Sequence, residues 1–129
     1  MHKEMSMRKL EQVLAKYSSH PDFLGINLVD PNQRGAVDDT PLHIASRKGE
    51  LEDVQALLAS GADLDISGDL GYTPLHCAAM CGKVDVIKQL LLNGANLELT
   101  NEFNQTPLNI AELGGHKEIV EILSSWKPT

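Results

Sequence analysis

Apolar residues along this chain recur in helical steps, and the helical segments recur in turn. Over 51–60, Leu51, Val54, Leu57 and Leu58 step by three and four, the spacing of one buried helix face. Val84, Ile87, Leu90 and Leu91 repeat the arrangement over 84–93. Val120 and Leu123 continue it over 117–125, where Lys117 takes the first apolar place. A shorter helix is predicted ahead of each, carrying Leu42 and Ala45, then Leu75 and Ala78, then Leu108 and Ala111. These short helices open on Thr40-Pro41, Thr73-Pro74 and Thr106-Pro107. Threonine is a sound N-cap, its hydroxyl accepting an orphan N–H. Proline at the first helical position gives up an N–H that would lack a partner anyway. Gly49, Gly82 and Gly115 end the short helices, where a left-handed residue is cheap for glycine. Gly61 and Gly94 stop two of the longer ones, and the chain then extends into a turn before the next Thr-Pro.

The two-helix pattern is periodic. Thr40-Pro41-Leu42-His43-Ile44-Ala45 returns from Thr73 to Ala78 and again from Thr106 to Ala111, at a step of 33 residues. A fixed period of this size marks a stacked repeat protein. The order G-x-T-P-L-H-x-A, then Gly, then V-x-x-L-L, then Gly61-Ala62-Asp63 or Gly94-Ala95-Asn96, resembles the ankyrin repeat over about 35–125. The resemblance implies an all-α repeat solenoid of helix-turn-helix pairs with β-turn fingers, in one domain spanning 1–129. Repeats are expected at 35–67, 68–100 and 101–125, with a tail at 126–129. Terminal units of such stacks must be capped. Residues 6–34 read as a degenerate unit capping the N-terminal end. Met7–Tyr17 forms its amphipathic helix through Leu10, Val13, Leu14 and Tyr17, and Pro21 is placed to begin a second short one. Gly25-Ile26-Asn27-Leu28 echoes Gly61-Ala62-Asp63-Leu64, which leaves the first finger three residues longer than the next.

The chain departs from the family pattern in places. Gly71 stands two residues before its Thr-Pro, as the family prefers, and Asn104 is a reasonable substitute. Asp38 is a weaker one and predicts an irregular first turn. Asn109 replaces the usual histidine and removes one expected hydrogen bond between repeats. At the C-terminal end, Ser124 takes the place of Leu58 and Leu91, and Lys117, Glu118 and Glu121 face water. Trp126 is expected to fold back over the open end of the core; the alternative is a partner contact.

Charge narrows the partners. A formal net charge of −7 argues against nucleic acid, whose phosphates need a basic patch, and weakly favours a basic protein partner. No apolar run has signal-peptide or transmembrane length, and the two cysteines suit a cytoplasmic protein without membrane contact. Cys77 and Cys81, four apart on one helix, are poorly placed for a disulfide. Met1-His2-Lys3-Glu4 and Trp126-Lys127-Pro128-Thr129 read as natural termini.

Catalytic chemistry is not written in the sequence. His43 and His76 recur because the repeat recurs, and the resemblance implies a hydrogen-bonding role for them. There is no phosphate loop, metalloprotease motif or nucleophile elbow, and no metal-ligand spacing. Asp38-Asp39 is read as solvating a turn. No enzyme activity, cofactor or metal is expected.

The resemblance places binding on the concave surface of finger tips and first helices. The exposed finger positions are then Ala36, Val37 and Asp39; Asp69, Leu70 and Tyr72; and Glu102, Phe103 and Gln105. The exposed first-helix positions are Arg47 and Lys48, Met80 and Cys81, and Leu113. Leu70, Tyr72, Met80, Phe103 and Leu113 are apolar where solvent is expected, and Tyr72 and Phe103 fall here although aromatics make up only 4% of the chain. Asp39, Asp65, Asp69, Glu98 and Glu102 surround them. An apolar centre with a charged rim is interface anatomy. The alternative is that Leu70 and Phe103 tuck between fingers. The expected function is a protein-binding module, monomeric when free. Narrower alternatives are an immunity-type inhibitor that neutralises a basic toxin or enzyme, and a fragment of a larger adaptor or effector.

Overall fold

A computed structural model describes the backbone of residues 2–127 and the side chains of 9–127. The termini at Met1 and at Pro128-Thr129, read above as natural ends, lie outside the described residues. Seven α-helices and no strand occur among the described residues: α1 (His2–Ser18), α2 (Pro41–Lys48), α3 (Leu51–Ala59), α4 (Pro74–Met80), α5 (Val84–Leu92), α6 (Pro107–Leu113) and α7 (Lys117–Ser125). Two single 3-10 turns, Pro21–Phe23 and Asp69–Gly71, complete the elements.

The helices stack in two rows. The inner row is α2, α4 and α6; the outer row is α1, α3, α5 and α7. Periodic burial explains the rows. Leu42, Leu75, Ala45, Ala78 and Ala111 are buried along the inner row, and Val54, Leu57, Ile87, Leu90, Ile119 and Leu123 along the outer row. Small alanines let neighbouring inner helices approach, while the leucines fill the space between rows.

Each inner helix begins with a reciprocal cap. In α4, His76 N–H donates to Thr73 Oγ1 at 3.3 Å, and Thr73 N–H donates to His76 Nδ1 at 3.1 Å. Asn109 does the same work in α6, its Oδ1 accepting Thr106 N–H at 2.9 Å. The histidines go further than Asn109. Nδ1 already accepts a backbone N–H, so Nε2 carries the proton and donates onward. His43 Nε2 reaches the carbonyls of Ile66 and Tyr72 at 2.9 and 3.0 Å, and His76 Nε2 reaches that of Gln105 at 2.8 Å. Each histidine thus ties its helix to the next finger. Asn109, in the last repeat, bonds within its own cap.

The fingers share one backbone plan. Asp38, Gly71 and Asn104 all have positive φ, at 74°, 77° and 60°. Asp38 therefore makes the same turn as the others, against the expected irregularity. An aspartate tolerates this region, unlike bulky residues. The irregular finger is the second, where Leu70 also has a positive φ of 56°.

The N-terminal segment differs in order from a regular repeat. Helix α1 joins the outer row beside α3, where Lys16 Nζ and Tyr17 Oη both donate to Asp53 Oδ2, at 2.8 and 2.9 Å. The short helix expected from Pro21 is a single 3-10 turn, and its Asp22 carbonyl accepts Ala36 N–H at 2.7 Å. The equivalent Glu102 N–H in the third finger is accepted by Leu70 of the second at 3.0 Å. Residues 21–23 thus hold the first finger as a preceding finger would. The extra length folds as a turn whose Asn32 donates to the Gly61 carbonyl and accepts Asp63 N–H.

The C-terminal end has a polar outer side. Asn109, Glu112 and Ser124 are exposed where His76, Ala79 and Leu91 are buried one repeat earlier. Trp126 is half-buried against the core, beside Leu92 and Ile122.

Candidate protein-binding face

The 33-residue step turns exposed side chains into rows. Val37, Leu70 and Phe103 are equivalent positions at the three finger tips, and all three are exposed, at 45%, 47% and 59%. Arg47, Met80 and Leu113 are equivalent positions near the ends of the inner helices; Met80 is 42% and Leu113 74% exposed. Ala36, Asp69 and Glu102 form a third exposed row beside the tips. Tip leucine and phenylalanine do not tuck between fingers; the backbones meet there instead, through the Leu70 carbonyl and Glu102 N–H.

Of the five positions read as apolar and outward, Leu70, Met80, Phe103 and Leu113 are exposed, whereas Tyr72 is half-buried. Val37, outward but outside that apolar group, is exposed as well. The 33-residue register alone was the signal that would have added it.

The position before each Thr-Pro turns inward. Asp39 was expected on the exposed face and is instead buried, at 2%. Its carboxylate meets Arg47 Nη2 at 2.8 Å and accepts Asp69 N–H at 2.9 Å. It therefore does not solvate a turn, and it is not available to a partner. Tyr72 and Gln105, its equivalents, are half-buried. The cause lies in the backbone: Gly35, Gly68 and Asn101 donate their N–H to the carbonyls of Asp39, Tyr72 and Gln105, closing each finger at its base. Tyr72 also lies against the His76 ring, with centroids 5.6 Å apart.

Arg47 is half-exposed and spoken for on both sides, by Asp39 and by Cys77 Sγ at 3.6 Å. Lys48 is exposed beside it, and Cys81 is half-buried. Burial pushes the Cys77 thiol up to about 12, with Arg47 acting in the opposite sense, so it stays neutral and packs as a small apolar group. Burial likewise holds His43 and His76 below the ordinary histidine value, against the raising effect of the carbonyls they bond. Both are neutral at pH 7, in keeping with Nδ1 as acceptor and Nε2 as donor.

Among the described residues, no group of three or more His, Cys, Asp or Glu side chains is placed to hold a metal ion, and no helix is long and apolar enough to cross a membrane. Apolar grooves lie away from the finger face. One, of about 400 Å³, runs between Leu10, Leu14, Leu28 and Val29; another, of about 310 Å³, lies between Leu92, Ile122 and Trp126.

No curated protein matches the chain at a significant level. The family model of ankyrin repeats in three copies matches residues 12–101, beginning within α1 and stopping at the base of the third finger. The helix pair of 101–125, α6 and α7, continues the same period past the end of that match. Period, caps, linking histidines and the family match converge: the chain belongs to the ankyrin-repeat family, whose members generally serve as protein–protein interaction modules.

Proposed function

We propose that this chain is a non-catalytic binding module that engages a basic protein through the face made by its finger tips and inner helices. The observation that carries this reading is the in-register exposure of Val37, Leu70 and Phe103 next to Met80 and Leu113. Five large apolar side chains spaced by a repeat are not scattered surface residues, and contiguous apolar area on a soluble protein marks a partner site. Asp69 and Glu102 border the tips, and Asp38 and Glu112 lie near them, all exposed. This rim, with the net charge of −7, favours a cationic partner and supplies steering as well as specificity. Contact residues are Val37, Leu70, Phe103, Met80, Leu113, Asp69, Glu102 and Lys48, with Tyr72, Gln105, Cys81 and Arg47 contributing their exposed portions. A stoichiometric inhibitor of a basic enzyme is the narrowest form of this function.

The test compares affinity capture by the wild-type chain, by Leu70→Glu/Phe103→Glu, and by Gln55→Glu on the outer row. A specific partner should be retained by the wild type and Gln55→Glu and lost by the double variant, with thermal stability matched. Equal capture by all three overturns the assignment of this face.

A further inference from the structure

The rows define more than a patch; they define a spacing, a direction and a charge order. Neighbouring inner helices pack directly, α2 on α4 and α4 on α6, so equivalent residues recur about every 8–10 Å, the interaxial distance of packed helices. A ligand that meets all three tips must present apolar groups on one side at that interval. Seven residues of an α-helix advance about 10.5 Å and nearly complete two turns, which returns the side chain to the same face. In a strand, same-face residues recur about every 6.8 Å, and a three-residue step points to the opposite face.

The face also carries a charge gradient. At its first-repeat end exposed Lys48 offsets exposed Asp38, and Arg47 is neutralised by Asp39; Asp69 stands in the middle; its third-repeat end has exposed Glu102 and Glu112. Exposed Arg34 stands beside the first tip, its Nη1 donating to the Asp38 backbone carbonyl at 2.9 Å, so the first-repeat end is close to neutral while the third-repeat end is negative. A helix has a positive N-terminus and a negative C-terminus. A polyproline segment also repeats on one face at about 9.3 Å, but it has no such aligned internal hydrogen-bonded dipole to match the gradient.

Building on the reading of this face as the binding surface, we infer that its occupant is a basic amphipathic α-helix lying along the stack. Its apolar residues at heptad intervals meet Val37, Leu70 and Phe103 on one flank and Met80 and Leu113 on the other. Its N-terminal half carries lysine or arginine and lies over the third repeat, against Glu102 and Glu112. Its C-terminal half lies over the first repeat and carries no net charge.

Synthetic peptides of eighteen residues test this on the full chain, isotopically labelled for amide NMR. The first is helix-forming, with leucines at its second, ninth and sixteenth positions, lysines in its N-terminal half and glutamines in its C-terminal half. The second moves the lysines to the C-terminal half. The third keeps the composition and charge order of the first but breaks the helix with two central prolines. The first peptide should bind at least tenfold tighter than the third and shift the amides of Leu70, Met80, Phe103 and Leu113. A spin label at its N-terminus should broaden the amides around Phe103 and Leu113 before those around Val37 and Lys48. Comparable binding of the proline peptide at the same amides overturns the helix and leaves the face intact. Broadening at the Val37 end by the first peptide, or at the Phe103 end by an N-terminal label on the second, overturns the direction. Shifts confined to other surfaces overturn the face itself and the helix with it. A Kd for the first peptide weaker than about 1 mM also overturns the helix.

Discussion

Asp39 and Arg47 form an ion pair of 2.8 Å with its carboxylate sealed from solvent and its guanidinium half-exposed. The pair links the base of the first finger to the end of α2. Through Asp39 it also reaches the Asp69 N–H of the second finger, and through Arg47 the Cys77 thiol of α4. The carboxylate therefore orders the start of the face that carries the exposed apolar rows, without itself being offered to a partner.

Truncating Asp39 strands a guanidinium and an N–H. Removing one partner of a fully buried pair costs about 3–5 kcal/mol, and the water access of Arg47 reduces that. Asp39→Ala should therefore lower the unfolding free energy by about 2–3 kcal/mol. The double variant Asp39→Leu/Arg47→Met should recover more than half of the loss. Urea unfolding with unchanged m-values checks both; a loss below about 0.5 kcal/mol for the single variant would place the pair among weak surface bridges.

Acid should weaken the fold through its linking histidines. His43 and His76 have pKa values lowered by burial, so the unfolded chain binds protons more readily than the folded one. Stability then rises with pH wherever that difference holds. Their contribution is complete above the unfolded value of about 6.5 and is lost progressively as pH falls below it toward the folded values. Urea midpoints at pH 7.5 and pH 5 should differ accordingly, and His76→Gln should shrink the difference. A wild-type midpoint that stays constant between these pH values contradicts the neutral, bridging histidines.

The helical framework was legible in the sequence because it repeats. Second helices expected at 51–60, 84–93 and 117–125 end within one residue of those limits. Thr-Pro and His set the caps by local geometry alone. The finger positions were less legible, because their orientation is decided by contacts between repeats. Asp39 looks like any surface aspartate until Arg47, eight residues on, folds back over it. Asp38 turns as its glycine and asparagine equivalents do, since the surrounding hydrogen bonds fix that turn. Leu70 carries no sequence signal at all for its left-handed backbone, as a leucine has no local polar bond to stabilise it.

That backbone makes Leu70 a residue kept at a cost. A non-glycine in the left-handed region is disfavoured by about 1–2 kcal/mol, partly offset by the greater freedom glycine loses on folding. Leu70→Gly should raise the unfolding free energy by up to about 1 kcal/mol while removing a 47% exposed side chain from the middle of the tip row. The expected combination is a higher Tm with weaker partner binding. Lower stability in this variant would show that the leucine side chain supports the finger.

Phe103 and Tyr72 should separate binding from folding. Phe103 is exposed, so Phe103→Ala should leave Tm within about 2 °C and weaken partner binding by about 1–3 kcal/mol. Tyr72 packs against His76 and the core, so Tyr72→Ala should lower Tm as well. Calorimetric titration alongside thermal melts distinguishes them. Equal Tm losses in the two variants would mean that the Phe103 ring is part of the packed finger.

Gly68 sits where a side chain has no room. A Cβ there would collide with Asp39 Oδ1 and come within 2.9 Å of His43 Nε2. Both neighbours are buried and held, Asp39 by Arg47 and His43 by the carbonyls of Ile66 and Tyr72. Gly68→Ala should therefore cost about 1–3 kcal/mol, as overpacking does. The collision names its own control. In an Asp39→Ala background the nearest obstacle is gone, so the same glycine substitution should cost at least about 0.5 kcal/mol less. Additive losses in that double-mutant cycle would move the cause from the Asp39 carboxylate to the His43 ring.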